Sequence, residues 1–324
     1  MHSPASARTI VTVGDVMVDT LVHIADAIRL DADNPAQVTR SLGGQAANTA
    51  AWLRASDARV HLVGVLGDDS AARWVRDRVV DLDIAHTLVT VPCPTGECVI
   101  ITSNDGTRTM FPSSGANALI GAPEVERELV DLIRGRPTHL HVSGYAACHD
   151  VDFVDRLLTQ ASSEGVGTSM DSAALTATSS TDHWRTAHLA VLPHVDILLA
   201  TAREVQSLRG LPSPANFSID DAMSIAADLV SDASSGNWPE VIVMKAGPLG
   251  AFVITPSNVT HVPAQAEHVA DTTGAGDAFA AGFLAALGRG SSVVEAAQQG
   301  TSVAAVAVTG IGGQPAIREG HHGG

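Results

Sequence analysis

Short apolar runs alternate with alanine-rich amphipathic stretches along nearly the whole chain. This alternation restricts the possible fold more than any other feature. The runs Thr9–Val13, 60–65, His139–Ser143, 166–171, 196–201 and 240–244 have the length and aliphatic content of buried strands. Between them, 45–54, 70–80, Pro123–Arg134, 151–164 and 219–232 read as helices. Strand, helix, strand, helix predicts a mostly parallel central sheet covered on both faces, a three-layer α/β/α sandwich. Such sheets take ligands at the carboxyl ends of their strands. Two stretches break the rhythm. Residues 16–40 are polar and extended, and 95–112 read as a hairpin: ECVIIT, the turn Asn104-Asp105-Gly106, and a return through Arg108. Both are expected to build a small β-sheet lid. The expected division is therefore 1–15, 41–94 and 113–324 as the α/β core, with 16–40 and 95–112 as the lid.

A chain of 324 residues with 45% hydrophobic residues can bury one large core of this kind. The net charge of −16 sets it against nucleic acid and anionic membranes, so neither is an expected partner. No apolar run reaches the roughly 18 residues of a membrane span, and the start of the chain does not read as a signal peptide, so the expected location is cytoplasmic. The three cysteines, Cys93, Cys98 and Cys148, are too few and odd in number for a disulfide scaffold and lack the partners of a zinc site. Lys245 is the only lysine; Ala246 follows it, which excludes a Walker A loop. No G-x-G-x-x-G follows the first strand, which disfavours a dinucleotide-dependent oxidoreductase.

The stretch DTTGAGDAFAAGF, from Asp271 to Phe283, places a Gly-Ala-Gly turn and a lone carboxylate where an alanine-rich helix begins. Consecutive N–H groups of Gly274, Ala275 and Gly276 at a helix N-terminus form an anion hole, and the small residues let a phosphate approach the backbone. Asp277 in the first turn has two readings: a helix cap, or a base that takes a hydroxyl proton during phosphoryl transfer to an alcohol. The segment alone leaves both open.

This stretch resembles the C-terminal signature of the ribokinase-like (PfkB) carbohydrate kinase family. SLGGQAANTAAWL, from Ser41 to Leu53, resembles the N-terminal signature and precedes the first by about 230 residues. GDVMVD (from Gly14), VGVLGDDSAARWV (from Val63), MFPSSGAN (from Met110), KAGPLGAFV (from Lys245) and AVTGIGGQPAI (from Ala307) are similar to further family segments, all in order. The resemblance spans nearly the whole chain and implies a ribokinase-like fold and an ATP- and Mg²⁺-dependent kinase. Its acceptor would be the hydroxymethyl group of a small sugar. It implies Asp277 as base and Gly274, Ala275 and Gly276 as anion hole. Asp15, Gly43, Gly44 and Asn48 would hold sugar hydroxyls. Lys245, Gly247, Gly250, Thr201 and Glu204 would line the nucleotide, with Glu204 also reaching Mg²⁺ through water. Asp271, Thr273, Ala307, Gly310, Gly312 and Ala316 match positions that bind a monovalent cation such as K⁺ in relatives. A homodimer through the lid is expected, because pairing two lids covers their strand edges.

The chain also departs from the pattern. Thr201 replaces the Asn of an Asn-x-x-Glu motif, while Glu204 is kept. Gln45 stands where ribokinases have the Lys of Gly-Gly-Lys-Gly-Ala-Asn, so a cation near the incoming phosphate is lost. Ser143-Gly144-Tyr145 replaces a sugar-contacting Glu. Arg108 is read as a solvated charge or a partner for a substrate anion, and Tyr145, the only tyrosine, as a stacking or a packing residue. Trp52, Trp74, Trp184 and Trp238 are placed away from the strand ends, and with few aromatics a nucleoside acceptor is the second reading. A non-catalytic sugar or nucleotide sensor is the third. His139 and His141 share one strand face and are read as core histidines.

Overall fold

The computed structural model describes residues 9–25, 27–103, 108–135, 137–173, 181–213, 216–266 and 268–315. Thirteen strands occur among them, in chain order β1 (Thr9–Val13), β2 (Met17–Ile24), β3 (Ala36–Gly43), β4 (Arg59–Leu66), β5 (Ala85–Thr90), β6 (Gly96–Ser103), β7 (Arg108–Ser113), β8 (His139–Ser143), β9 (Gly167–Asp171), β10 (Ile197–Thr201), β11 (Val241–Lys245), β12 (Ala251–Thr255) and β13 (Asn258–Val262). The helices are α1 (Gln45–Ala55), α2 (Ser70–Asp81), α3 (Pro123–Arg134), α4 (Gly144–His149), α5 (Val151–Ser163), α6 (Thr181–Val191), α7 (Ala202–Leu208), α8 (Ile219–Ala233), α9 (Ala275–Gly288) and α10 (Val293–Ala307).

Nine strands form one sheet in the order β13-β12-β11-β10-β9-β8-β1-β4-β5. It is parallel from β11 to β5, and β12 and β13 join antiparallel at one edge. The six strands expected from the sequence form the middle of this sheet and end within one residue of their expected bounds. They are near-continuous aliphatic runs because both faces are covered. One face carries Val11, Val13, Leu140, Val142 and Leu198 against α3 to α8; the other carries Ile10, Leu62, Leu199 and Val243 against α1, α2, α9 and α10. Three layers result, as the alternation predicts.

The sequence reading did not anticipate β5, β12, β13 or the helices α4, α6, α7 and α10. Of these strands, β5 and β13 lie at the edges of the sheet, where half-exposed residues such as Thr87 and Thr260 weaken the apolar signal, whereas β12 is a buried five-residue run between β11 and β13. Helices α4 and α7 are too short to show a helical period.

Residues 16–40 supply β2 and most of β3, and 95–112 supply β6 and most of β7. These four strands form a second sheet in the order β3-β2-β6-β7. The turn Asn104-Asp105-Gly106 lies outside the described residues, but the antiparallel register from Glu97 opposite Ser113 to Thr102 opposite Arg108 is that of a hairpin. The side that carries Met17, Cys98 and Ile100 is buried. The parallel strands β1, β8, β9, β10 and β11 all end at one edge of the core, at Val13, Ser143, Asp171, Thr201 and Lys245. No helix among the described residues is long and apolar enough to cross a membrane.

Candidate active site

Three segments far apart in sequence converge at the carboxyl ends of the parallel strands: the start of α1, the turn before α9 and the loop after α10. Glycine makes the convergence possible. Gly44 has φ 94°, and a Cβ there would lie 2.3 Å from the Asp15 carbonyl oxygen. Gly274 has φ 71°, and its Cβ would lie 2.5 Å from the Cα of Gly313. A side chain at either position would push the segments apart.

Asp277 does not cap α9. The N-cap is Gly274, which makes no side-chain cap bond. Instead, Asn48 Nδ2 donates to Asp277 Oδ2 at 2.9 Å, and Gln314 Nε2 donates to Asn48 Oδ1 at 2.6 Å. Asn48 is likewise no cap; it joins α1, α9 and the final loop. Trp52, one turn along α1, donates from Nε1 to the Gly313 carbonyl at 2.9 Å. It therefore supports the site rather than lying away from it.

Burial pushes the Asp277 carboxyl up to about 7; the hydrogen bond from Asn48 and the charge of Lys245 pull it down, Asp19 pushes it up, and Arg108 pulls it down. Asp15 and Asp19 are also raised to about 7 by burial. Asp19 belongs to β2 of the second sheet and lies against Gly43, where a Cβ would come 2.1 Å from its carboxyl carbon. The sequence reading listed Asp15 and missed Asp19. The signal was present as a carboxylate interrupting the apolar run VMVDTLV. Asp15 approaches His149, with Oδ1 4.0 Å from Nε2. Asn117 accepts from Val16 N at 3.1 Å and fixes the chain just after Asp15.

Lys245, at the end of β11, is not a solvated charge. Its Nζ donates to both carboxylate oxygens of Asp171 at 2.7 Å. Burial alone would lower its pKa, but Asp171 and then Glu204 outweigh burial and raise it. A Cβ built on Gly276 would lie 3.4 Å from this Nζ, so the ammonium adjoins the Gly-Ala-Gly turn. Lys245 also lines a cleft of about 430 Å³ together with Thr201, Gly247, Gly250, Ala275 and Gly276. A second cleft, of about 760 Å³, adjoins the opposite ends of β1 and β4 near Arg54, Arg59 and His61 and contains no expected site residue.

Thr201 is the N-cap of α7 in a capping box. Its Oγ1 accepts from Glu204 N at 3.2 Å, and its N donates to Glu204 Oε2 at 2.6 Å. Ser172 Oγ also donates to that Oε2, at 2.9 Å. Glu204 is thus fixed at the strand ends by the residue that replaces the motif's Asn. Asp271 accepts from Thr273 N and Oγ1 at 2.9 and 2.7 Å through Oδ1, and from Gly312 N at 2.9 Å through Oδ2. Burial opposes its charge, but these bonds hold its carboxyl below the usual range. Arg108 reaches from β7 to donate to Thr273 Oγ1 at 2.7 Å, linking the second sheet to this loop. The Ala307 carbonyl accepts from Gly310 N at 3.2 Å in the same loop; Ala316 lies outside the described residues.

Gln45 Oε1 accepts from Ser143 Oγ at 2.6 Å and Gly144 N at 3.2 Å, which ties the start of α1 to the end of β8. Tyr145 packs edge-on against Trp184, with centroids 6.0 Å apart, so this tryptophan too is near the strand ends. His139 and His141 both bond Ser169 Oγ at 2.8 Å within the core; burial lowers them to about 4 and about 3, so both are neutral. Thr201, Lys245 and Gly43 are the last residues of β10, β11 and β3, Ala307 the last of α10, and the other expected site residues within the described structure lie on loops or near helix starts.

The family described as "pfkB family carbohydrate kinase" matches residues 7–319. The bifunctional protein HldE of Rhodopseudomonas palustris is 28% identical over 313 residues, covering 93% of this chain and 60% of that protein. The chain thus spans about six-tenths of the length of the HldE relatives it matches. Among solved structures, adenosine kinase from Sinorhizobium meliloti superimposes with a TM-score of 0.77 at 22% identity, covering 96% of this chain and 97% of that one. Arabidopsis thaliana ribokinase, complexed with ribose and ATP, gives 0.75 at 21% identity and 94% coverage of each. These two likenesses show the ribokinase fold.

Because its hydrogen bond favours the ionised carboxyl, Asn48 holds the Asp277 pKa down. Asn48→Ala is expected to move that pKa above about 7, so that more of Asp277 is protonated at neutral pH. Titration of the carboxyl ¹³C resonances checks this; an unchanged or lower pKa contradicts it. With its family segments in order along the chain and matched over residues 7–319, the protein belongs to the pfkB family of carbohydrate kinases, phosphotransferases that act on an alcohol group.

Proposed function

We propose that the protein transfers the γ-phosphoryl group of ATP to a hydroxymethyl group of a small sugar. The observation that carries this reading is the half-buried carboxylate of Asp277, held by Asn48 one residue beyond the Gly274–Gly276 turn. A carboxyl with a pKa of about 7 is a competent proton acceptor near neutral pH. The sugar lies among Asp15, Asp19, Gly43, Gly44 and Asn48, where carboxylates and a carboxamide accept and donate to paired hydroxyls. The nucleotide lies in the cleft lined by Lys245, Gly247, Gly250 and Thr201. The alcohol oxygen attacks Pγ as Asp277 takes its proton. The bond from Pγ to the β,γ-bridging oxygen breaks, and ADP leaves. The amides of Ala275 and Gly276 stabilise the charge on the moving phosphoryl group. The second sheet acts as a lid that excludes water, and Arg108 bonds across to the catalytic loop when it is closed.

The donor sets fit the two ions. Glu204 offers a carboxylate beside the cleft, suited to Mg²⁺ through water, which neutralises phosphate charge when bound. Asp271, kept ionised by its bonds from Thr273 and Gly312, would supply the charge for K⁺, with the carbonyls of Ala307, Gly310 and Gly312 as the further oxygen donors.

Adenosine kinase among the structural neighbours favours a nucleoside as the second acceptor class. The sensor reading finds no support in the site: Glu204 keeps its place despite the Thr201 replacement. The free cysteines Cys93, Cys98 and Cys148 support a cytoplasmic location. A panel of ribose, fructose, 2-keto-3-deoxygluconate and adenosine with coupled ADP detection separates the acceptors. Asp277→Asn should lower kcat by about 10²–10⁴-fold and leave ATP binding intact. Near-normal turnover would sink the assignment of Asp277 as base.

We also infer a homodimer through the second sheet. Val38, Val99 and Phe111 are 61%, 39% and 56% exposed and lie on its outward face, with Val99 directly opposite Phe111. A second copy of the same sheet covers them. Light scattering should give a dimeric mass for the native chain and a monomeric mass for Phe111→Glu. A monomeric native chain would refute the dimer.

A further inference from the structure

The chain's only lysine sits deeper in the site than a residue that merely lines a nucleotide. The Lys245 side chain is 12% exposed and that of Asp171 2%. An ammonium carries three N–H donors, and two are taken by the two oxygens of Asp171. The group adjoins Gly276 in the anion turn. Burying an ion pair adds little stability compared with an apolar pair of similar volume, so stability alone gives a weak reason for charge here. The surroundings give a stronger one. Asp171 on β9, Glu204 on α7 and Asp277 on α9 all act on Lys245, so the cleft would repel an anion without it. Gln45 cannot supply the missing charge: it is neutral, and its Oε1 is turned to Ser143 and Gly144.

We propose that Lys245 is a catalytic residue that donates to the transferring phosphoryl group, and that Asp171 is a positioning residue that holds its ammonium beside the Gly274–Gly276 turn. Lys245 keeps its proton throughout; the proton of the alcohol goes to Asp277. The inference rests on the kinase reading above. It makes β11 the source of the positive charge that the start of α1 lacks. Asp171, absent from the sequence-derived site, thereby gains a role in the reaction.

Lys245→Met, Lys245→Arg and Asp171→Asn test this on the full chain. Lys245→Met is expected to lower kcat by about 10²-fold and to leave ADP affinity within about threefold. It should also abolish any preference for the non-hydrolysable ATP analogue AMP-PNP over ADP in calorimetry. Lys245→Arg keeps the charge and should restore part of kcat. Asp171→Asn removes the main partner that raises the Lys245 pKa, leaving Glu204, Asp277 and the neutral His141 around it. It should therefore move the alkaline limb of kcat to lower pH, a shift that a purely structural ion pair would not produce. If Lys245→Met fails to fold, the arginine and asparagine variants decide the matter through kcat and the alkaline limb. A kcat within about threefold of native in Lys245→Met, or an unmoved alkaline limb in Asp171→Asn, overturns the proposal. If the native chain phosphorylates no alcohol, the kinase reading fails, and the AMP-PNP-to-ADP affinity ratio still tests Lys245 by itself.

Discussion

Three buried carboxylates, Asp15, Asp19 and Asp171, and the half-buried Asp277 gather at one end of the sheet of a chain whose net charge is −16. Desolvation and mutual repulsion both oppose this arrangement. Two of the groups have a specific counterweight, while Asp15 and Asp19 are raised to about 7 by burial. Lys245 bonds Asp171 through both oxygens, Asn48 donates to Asp277, and the helix that begins at Ala275 turns its N-terminus toward the same point. The rest of the architecture serves this end of the sheet: the parallel strands deliver the side chains, and the glycines let three distant segments touch.

The same electrostatics connect structure to chemistry. A carboxylate that is costly to ionise is a better proton acceptor than one solvated at the surface, and burial raises Asp277 toward neutral pH. The loop after α10 takes part through Gln314 and Gly313, which hold Asn48 and Trp52. Arg108 bonds the second sheet to the same loop system at Thr273. Asp19, carried by that sheet, sets a further carboxylate against Gly43. Residues of both sheets therefore meet at this end of the core.

Much of this was legible in the sequence. The middle of the sheet could be read from aliphatic runs, because strands buried on both faces cannot carry polar residues freely. The Gly-Ala-Gly turn and Gly43-Gly44 could be read because close backbone approach demands glycine. Other parts could not. Asp171 looks like any residue ending a strand until β9 and β11 are set two strands apart across β10. Asp19 looks like a lid residue until β2 folds over Gly43. Thr201 reads as a lost amide, yet its hydroxyl and amide seat Glu204 through a capping box. Trp52 and Trp184 lie on helices, and only the packing brings them toward the strand ends. In each case the missing information is a long-range contact that neighbouring residues do not encode.

The central claim is that the Gly274–Gly276 amides and Asp277 form one phosphoryl-transfer centre. A crystal structure with AMP-PNP and Mg²⁺ tests it most directly. The account predicts γ-phosphate oxygens about 2.7–3.1 Å from the Ala275 and Gly276 nitrogens, with the Asp277 carboxylate facing the phosphorus from the sugar side. A γ-phosphate bound away from this turn, or Asp277 directed away from it, would contradict the account.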